Sequence, residues 1–280
     1  MTDAYMKTVV AAALAEDIGQ GDITTNNLIL ETSKVQAQLV FKTEGVVCGL
    51  NVAECVFKTF CKKISFQRLV SEGSKVKKHK VIAIIKGPAR AILTAERVAI
   101  NFLTHLSAIA TQTRSFVEQI KPYLSKIFDT RKTTPLLRQM ERYAVHVGGG
   151  HNHRFDLSAM VMIKDNHRSL LKKGGLKQAV EIVKLKTKRS VVLEVDTWDE
   201  FQEALTSKAE VILLDNMTPL QVRNALNLRN RLNPSVLLEA SGGINIHNVR
   251  AYAKTGVERI SVGSLTSVKE GIDISLDFVI

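Results

Sequence analysis

The sequence predicts an α/β protein, because two regions with different patterns of strands and helices follow one another along the 280 residues. From Val35 to Ala89, short strands alternate with turn residues. After Pro122 one unit repeats: a short apolar run, a polar tip and then a helical pattern. Continuous apolar strands that alternate with helices are typical of a parallel sheet covered on both faces.

Candidate elements in the first region follow from apolar periodicity and turn residues. The predicted strands are Val35–Phe41, Gly45–Gly49 and Val81–Ile85. The predicted helices are an amphipathic one ending before Gly19, then Asn51–Phe60, and a long one from Thr94 to Lys121. Thr94 is a suitable N-cap, so we place the start of the long helix there.

In the second region, six apolar runs are candidate barrel strands. They are Lys126–Phe128, Met160–Ile163, Val191–Val195, Val211–Leu214, Val236–Leu238 and Arg259–Val262. Six such units in about 140 residues predict a closed or nearly closed barrel of the TIM type, one or two units short of eight. A doubly wound open sheet is the structural alternative, although no Gly-x-Gly-x-x-Gly motif follows a first strand to support it.

Composition narrows the function classes. A formal net charge of +12 is a feature of many nucleic-acid-binding proteins. Here, however, the charge is spread along the chain and aromatic residues make up only 5%. Few stacking platforms for single strands are therefore available, and we predict no nucleic-acid partner. No stretch approaches the roughly 20 apolar residues of a membrane-spanning helix, so we expect no membrane partner either.

Neither the cysteines nor the histidines predict a zinc site. The three cysteines are Cys48, Cys55 and Cys61. Their odd number and unpaired spacing indicate free thiols in a reducing compartment, so the expected location is cytoplasmic. His146, His151 and His153 are spaced unlike a helical ligand pair.

Cations and glycines are concentrated between Phe128 and Lys164. Arg131 and Lys132 follow one apolar run closely, and Lys164 follows the next. Leaving a cation buried without a partner costs several kcal/mol, so these side chains should point into a mouth that receives an anion. The segment predicts a pocket for a small, highly charged anion.

The remaining strand tips carry carboxylates and then glycine turns. Glu194 and Asp215 end apolar strands, and such oxygen ligands suit Mg²⁺, although salt bridges to neighbouring cations are the alternative. The last two tips are Ser241-Gly242-Gly243 and Gly263-Ser264. Small residues between a strand and a helix let main-chain N–H groups and the helix dipole approach a phosphate, whereas ordinary tight turns are the alternative.

Two further readings of the tips are weaker. No serine lies in a nucleophile elbow and no Cys–His arrangement is evident, so covalent catalysis has no support. A phosphate-binding isomerase or aldolase barrel would explain the last two turns. It would leave the Arg131-Lys132 and His153-Arg154 clusters without a role.

These motifs together resemble quinolinate phosphoribosyltransferase, also called carboxylating nicotinate-nucleotide pyrophosphorylase, over nearly the whole chain. The most specific are Thr130-Arg131-Lys132-Thr133 and Asn152-His153-Arg154. The others are Glu16–Gly19 with Asp22–Thr25, Glu96–Leu103, Gly148–His151, Ile163–Asn166, Leu214–Met217, Glu239–Gly243 and Ser261–Gly263.

The resemblance implies an N-terminal α/β sandwich domain over residues 1–107 and an incomplete TIM-like α/β barrel over residues 108–267. It implies that a tail over residues 268–280 packs back on the sandwich. It also implies a homodimer, with further assembly left open, whose sites lie between one subunit's barrel and its neighbour's N-terminal domain.

The implied reaction joins quinolinate to phosphoribosyl pyrophosphate with Mg²⁺, giving nicotinate mononucleotide, pyrophosphate and CO₂ in NAD synthesis. A paralogue acting on another aromatic acid, such as nicotinate without decarboxylation, is the alternative. The implied quinolinate residues are Arg97 from the partner subunit, Arg131, Lys132, His153, Arg154 and Lys164. The implied donor residues are Lys132, Lys164, Glu194, Asp215, Ser241, Gly242, Gly243, Gly263 and Ser264. Of these, Lys132, Lys164, Glu194 and Asp215 are the implied catalytic residues, and Glu194 and Asp215 the implied metal ligands.

Overall fold

A computed structural model describes residues 1–170, 175–268 and 271–279 of the chain. The chain divides into two compact units. The first contains Met1–Arg114, Thr133–Gly149 and Thr266–Ile280, and the second contains Ser115–Lys132 and Gly150–Leu265. Each unit has its own sheet, and the two are described separately below.

The described residues form helices and strands in alternation along much of the chain. The helices are α1 (Asp3–Ile18), α2 (Ile23–Leu28), α3 (Leu50–Phe60), α4 (Ala89–Gln119), α5 (Arg138–Val147), α6 (Asp165–Ser169), α7 (Leu176–Lys186), α8 (Trp198–Leu205), α9 (Pro219–Leu232) and α10 (Val249–Ala253). The strands are β1 (Lys34–Phe41), β2 (Gly45–Val46), β3 (Ser65–Arg68), β4 (Lys75–Val76), β5 (Lys80–Pro88), β6 (Lys126–Phe128), β7 (Val161–Ile163), β8 (Val191–Val195), β9 (Val211–Asp215), β10 (Leu237–Ser241), β11 (Arg259–Ser261) and β12 (Ile274–Phe278).

The main sheet of the first unit is antiparallel, in the order β12-β1-β5-β3. Leu39 at the centre of β1 lies opposite Leu276 of β12 and Ala83 of β5, and its side chain is fully buried. A strand from the C-terminal tail therefore completes the sheet that begins with β1. Within that tail, residues 269, 270 and 280 lie outside the described residues.

The long helix α4 begins at Ala89, five residues before the predicted N-cap Thr94, so that prediction was wrong. Pro88 ends β5, and the Ala- and Leu-containing turn that follows has high helix propensity. Thr94 instead donates a hydrogen bond from its hydroxyl to Asp22 Oδ2 at 3.0 Å. The same Asp22 carboxylate caps α2 by accepting from the Thr25 N–H at 2.8 Å.

Residues 133–149 belong to the first unit, whereas the sequence assigned them to the barrel. Glu141 of α5 is fully buried, and its carboxylate contacts His105 Nε2 at 2.9 Å and accepts from the Thr134 N–H at 3.1 Å. Arg114 Nε donates to the Gly148 carbonyl at 2.9 Å. These contacts join α5 and its ends to α4 inside the first unit.

The second unit is built on a six-stranded parallel sheet in the order β6-β11-β10-β9-β8-β7. The first strand of this series pairs with the last, and each later strand pairs with its successor. In a doubly wound sheet, the order of the strands would instead reverse near the middle of the sheet. The order is that of a barrel opened between β6 and β7, which confirms the predicted fold class of a separate N-terminal sheet and an incomplete α/β barrel.

Apolar side chains from neighbouring strands fill the second unit. Val192 of β8 and both Val211 and Leu213 of β9 are buried, with Met160 and Met162 packed against them. Among the described residues, no helix is both long enough and apolar enough to span a bilayer.

Candidate active site

All six strands of the second unit are parallel, so their carboxyl ends meet at one edge of the sheet. All six ends carry residues that the sequence singled out, and they follow one another along that edge. In spatial order they are Arg131 and Lys132 after β6, Gly263 and Ser264 after β11, Ser241–Gly243 at β10, Asp215 at β9, Glu194 in β8 and Lys164 after β7. The topology thus brings the predicted residues of this unit to one rim.

The segment from His151 to Arg154 lies beside β6 and extends the sheet there. His151 forms a parallel bridge with Phe128, and its N–H donates to the Ile127 carbonyl at 2.8 Å. Arg154 Nη1 donates to the carbonyl of Met160, just before β7, at 3.1 Å. This segment therefore lies at the opening between β6 and β7.

Two guanidiniums and one carboxylate interact electrostatically at this opening. Burial lowers the pKa of Arg154, the like charge of Arg131 lowers it further, and Glu194 partly offsets both effects. Arg131 also helps to lower the pKa of Asp156, although the hydrogen bonds from Ser158 contribute more. Arg131 and Arg154 are thus like charges that interact at this opening.

Lys164, directly after β7, forms an ion pair with Glu194 of the neighbouring strand β8. Its Nζ lies 2.8 Å from Glu194 Oε2, and the exposed fraction of the side chain is 41% for Lys164 but only 13% for Glu194. The salt bridge that the sequence gave as the alternative to a metal role is therefore present. Because the lysine is the exposed member, its ammonium remains accessible from the rim.

Asp215 ends β9, and Asn216 fixes its orientation. Asn216 Nδ2 donates to Asp215 Oδ2 at 2.8 Å, and the Asn216 N–H donates to the Ser241 carbonyl at 2.9 Å. Asn216 adopts a left-handed conformation with φ of 54°, which asparagine tolerates better than most residues. The turn holds the Asp215 carboxylate at the rim.

Glu194 and Asp215 fit a partial Mg²⁺ ligand set, since they lie on neighbouring parallel strands and supply hard oxygen ligands. Within the described ranges, no cluster of three or more His, Cys, Asp or Glu side chains could hold a metal. Protein-bound Mg²⁺ often takes one or two carboxylates and completes its shell with waters and substrate phosphates. The pair therefore suits a metal that arrives with a phosphorylated substrate.

The glycine turn after β10 can be formed only by residues without a Cβ at one position. Gly242 has φ of 87°, and a Cβ there would lie 2.2 Å from Asn216 Oδ1 and 2.7 Å from its main-chain N. Gly243 follows with φ of 61°. The helix expected directly after this turn begins only at Val249 and has five residues, so the helix-dipole part of the prediction was wrong.

Lys132 reaches along the rim to the turn after β11. A Cβ added to Gly263 would lie 3.3 Å from Lys132 Cδ and 3.7 Å from its Nζ. Ser264 is exposed in the short 3₁₀ turn Gly263–Thr266 that follows. The Lys132 ammonium and the Gly263 turn therefore share one part of the rim.

Arg97 is an exposed residue of α4 in the first unit, so it does not belong to the sheet that forms the rim. His146 likewise belongs to α5 in the first unit, whereas His151 and His153 belong to the second.

Beneath the rim lies a buried polar network that the sequence did not assign. Glu239 is fully buried in β10, with Oε1 3.3 Å from His153 Nε2 and Oε2 2.9 Å from Arg259 Nε. Ser261 donates its hydroxyl to Glu239 Oε1. Asp129, also fully buried, accepts from the His153 N–H at 2.6 Å.

The carboxylate at the centre of this network is ionised. Burial by itself would raise the pKa of Glu239, but the hydrogen bonds and charges of His153, Arg259 and Ser261 together lower it below its usual value. The only sequence signal for the network was a carboxylate inside an apolar strand run, which costs energy unless it is paired.

Family models match nearly the whole chain. The quinolinate phosphoribosyl transferase N-terminal domain matches residues 22–107, and the C-terminal domain matches residues 109–277. The probable carboxylating nicotinate-nucleotide pyrophosphorylase of Synechocystis sp. is 40% identical over 268 residues, which cover 95% of this chain and 90% of the relative. The Bacillus subtilis protein described in the same words is 38% identical and covers 99% and 94%.

Solved structures agree with these matches. The nicotinate-nucleotide pyrophosphorylase from Francisella tularensis superposes with a TM-score of 0.94 at 37% identity, covering 100% of this chain and 98% of that one. The Ehrlichia chaffeensis protein superposes with a TM-score of 0.92 at 34% identity, covering 100% and 99%. The resemblance of the motifs is thereby confirmed, and the chain belongs to the quinolinate phosphoribosyl transferase family.

Proposed function

We propose that this chain transfers the phosphoribosyl group of phosphoribosyl pyrophosphate to quinolinate and removes one carboxylate, as its family membership implies. The products are nicotinate mononucleotide, pyrophosphate and CO₂, a step of NAD synthesis. One observation supports the proposal: the sheet topology brings Arg131, Lys132 and Lys164 to one rim, and Arg154 lies at the opening of the same sheet.

Arg131 and Arg154 are the proposed clamp for the two carboxylates of quinolinate. Planar guanidinium forks hold carboxylates in a bidentate way that a flexible ammonium cannot match. Binding a doubly charged anion also relieves the repulsion that lowers the Arg154 pKa. Lys164 joins the clamp in this proposal, whereas the His153 ring lies beneath the rim against Glu239.

The phosphoribosyl donor occupies the other side of the rim in this proposal. The main-chain N–H groups of Ser241–Gly243 and Gly263–Ser264 receive its 5-phosphate, because glycine turns let the main chain approach an anion closely. Lys132, which lies against Gly263, and Lys164 offset negative charge on the pyrophosphate.

Glu194 and Asp215 would hold Mg²⁺ together with the ribose hydroxyls. The ion would neutralise charge on the departing pyrophosphate. Glu194 already forms an ion pair with Lys164, so in this proposal the carboxylate and the ammonium both face the phosphoribosyl donor. Asn216 keeps Asp215 oriented for this role.

In the first step, the pyridine nitrogen forms a bond to ribose C1 while the bond from C1 to the pyrophosphate oxygen breaks. The transition state has oxocarbenium character, and the leaving group departs with the electron pair. In the second step, the bond from the ring to the 2-carboxylate breaks and releases CO₂. The cationic pyridinium stabilises the electron pair left on the ring carbon, which then takes up a proton. No general base is required, so positioning and electrostatics supply most of the rate.

We also propose a homodimer in which Arg97 of one subunit completes the quinolinate site of its partner. Arg97 is exposed on α4, so it is available to a second copy of the chain.

The free cysteines Cys48, Cys55 and Cys61 support a cytoplasmic location, where thiols stay reduced.

Incubation with quinolinate, phosphoribosyl pyrophosphate and Mg²⁺ should produce nicotinate mononucleotide and CO₂ in equal amounts. Nicotinate in place of quinolinate should give little turnover, because it offers only one carboxylate to the clamp. Chromatography of the nucleotide and trapping of carboxyl-labelled CO₂ measure both products. Faster turnover of nicotinate, without CO₂, would establish the paralogous activity instead.

Arg131→Ala and Arg154→Ala should each raise the KM for quinolinate by roughly 10- to 100-fold, since a hydrogen bond to a charged group contributes about 1.5–3 kcal/mol. The KM for phosphoribosyl pyrophosphate should change far less. Initial rates with each substrate varied in turn measure both constants. Arg223→Ala, an exposed arginine of α9 in the same unit, is the matched control. Equal losses for both substrates would refute the clamp.

Asp215→Asn should raise the Mg²⁺ concentration needed for half-maximal rate by about tenfold, because the amide keeps the shape of the side chain and loses its charge. Asp196→Asn is the matched control, since Asp196 directly follows β8 and is 54% exposed. A titration of rate against Mg²⁺ compares the two. An unchanged titration for Asp215→Asn would remove this carboxylate from the metal role.

Co-expression of Arg97→Ala and Arg131→Ala chains tests the shared site. Each variant alone should be impaired, whereas a mixed dimer regains one intact site because the two defects fall in the same other site. Activity recovered in purified mixed dimers is the expected result. Mixed dimers no more active than the separate variants would show that Arg97 does not serve the neighbouring subunit.

A further inference from the structure

The structure points to a role for Glu239, a buried residue beneath the rim that contacts the ring of His153. We infer that Glu239 is a positioning residue: it holds the His153 imidazole as the Nε2–H tautomer and thereby fixes the main chain that carries Arg154. This inference rests on the proposed function for its kinetic consequence and on geometry for the tautomer.

The Glu239 carboxylate accepts one hydrogen bond, from Ser261, and faces two further donor groups, those of His153 and Arg259. An ionised carboxylate is an acceptor only. Arg259 Nε faces Oε2 at 2.9 Å, and the Ser261 hydroxyl donates to Oε1. His153 Nε2 lies 3.3 Å from Oε1, so a hydrogen on Nε2 faces the carboxylate and is attracted by its charge. A ring without a hydrogen on Nε2 would place two lone pairs against each other.

The other ring nitrogen of His153 has the opposite role. The main-chain N–H of Arg154 donates to His153 Nδ1 at 2.7 Å, so Nδ1 must present a lone pair. A hydrogen on Nδ1 would point at that N–H and break the bond. The charge of Glu239 does not require a cationic ring, because Arg259 already balances it. One tautomer alone satisfies both contacts.

The same tautomer ties Arg154 to the barrel. Asp129 accepts from the His153 N–H at 2.6 Å, and the Asp129 N–H donates to the His151 carbonyl at 3.0 Å. With Nδ1 accepting from the Arg154 N–H, consecutive main-chain amides at residues 153 and 154 are both held. The guanidinium of Arg154 therefore leaves a fixed main chain, which a clamp for a rigid planar acid needs.

Glu239→Gln should reverse the tautomer. The charged Arg259 Nε–H still needs an acceptor, so the amide oxygen should face Arg259 and the amide NH₂ should face His153. The amide then donates to Nε2, which moves the ring hydrogen to Nδ1 and breaks the bond from the Arg154 N–H. The substitution keeps the size of the side chain and inverts one hydrogen bond.

The test is a long-range ¹H–¹⁵N spectrum of the substrate-free protein labelled at histidine, combined with steady-state kinetics. The His153 signals are identified by their loss in His153→Asn. The wild-type ring should carry its hydrogen on Nε2 alone, and Glu239→Gln should carry it on Nδ1. Glu239→Gln should also raise the KM for quinolinate by about tenfold or more while changing the KM for phosphoribosyl pyrophosphate by less than about threefold.

Glu258→Gln is the matched control. Glu258 pairs with Arg229 and accepts from the Leu238 N–H at 3.0 Å, at the amino end of the same sheet. Both variants lose an ion pair to a guanidinium, so both should lower the melting temperature. Glu258→Gln should leave the tautomer unchanged and the quinolinate KM within about twofold. An equal rise in quinolinate KM for both variants would mean that Glu239 acts through stability alone.

The wild-type spectrum decides the tautomer even where Glu239→Gln does not fold. A hydrogen on Nδ1 in the wild-type ring overturns the inference, as does an unchanged quinolinate KM in a folded Glu239→Gln. Because the spectrum is recorded without substrates, it is independent of activity. A chain that does not turn over quinolinate would refute the proposed function and leave the tautomer result standing.

Discussion

Repulsion between the like charges of Arg131 and Arg154 is the interaction that other groups at the rim must offset. Holding two guanidiniums close together costs free energy unless anions offset their charge. Water at the rim offsets that charge less than an anion does. The fold provides Glu194 as a partial counter-charge for Arg154. In the proposed site, a dianion would offset the like charges further than an acid of lower charge would.

The parallel sheet separates the charges that do this work into two layers. Cations stand after the strands, at the rim, where they can meet solvent or a ligand. Glu239 and Asp129 lie fully buried, one within β10 and one directly after β6. Asp129 accepts from the His153 main-chain N–H, and Glu239 lies 3.3 Å from the His153 ring. Buried carboxylates in these positions restrict the segment that carries Arg154 more tightly than an apolar core would.

Local patterns were sufficient for the strands of the second unit, because each is a short apolar run that ends in a polar residue. They were insufficient wherever a distant partner decides the outcome. Thr94 is a typical N-cap residue, but the helix begins at Ala89, and the Thr94 hydroxyl instead donates to Asp22, far away in sequence. The pairing of β6 with β11, and the assignment of residues 133–149 to the first unit, likewise depend on contacts that no local window contains. Rim residues were predictable because cations after apolar runs are costly, whereas Arg259 and Ser261 appeared as ordinary strand residues.

The proposed phosphate site depends on the turns themselves rather than on a helix dipole. The helix after β10 begins six residues beyond Gly243 and is short, so its dipole contributes little at the turn. Gly242 instead packs against Asn216, the residue that orients Asp215, and a methyl group at Gly242 would collide with both the side chain and the main chain of Asn216. The turn that would receive the phosphate and the carboxylate that would face the metal are thus one packed unit. A substitution at Gly242 should disturb both the glycine turn and the orientation of Asp215, because Asn216 contacts both.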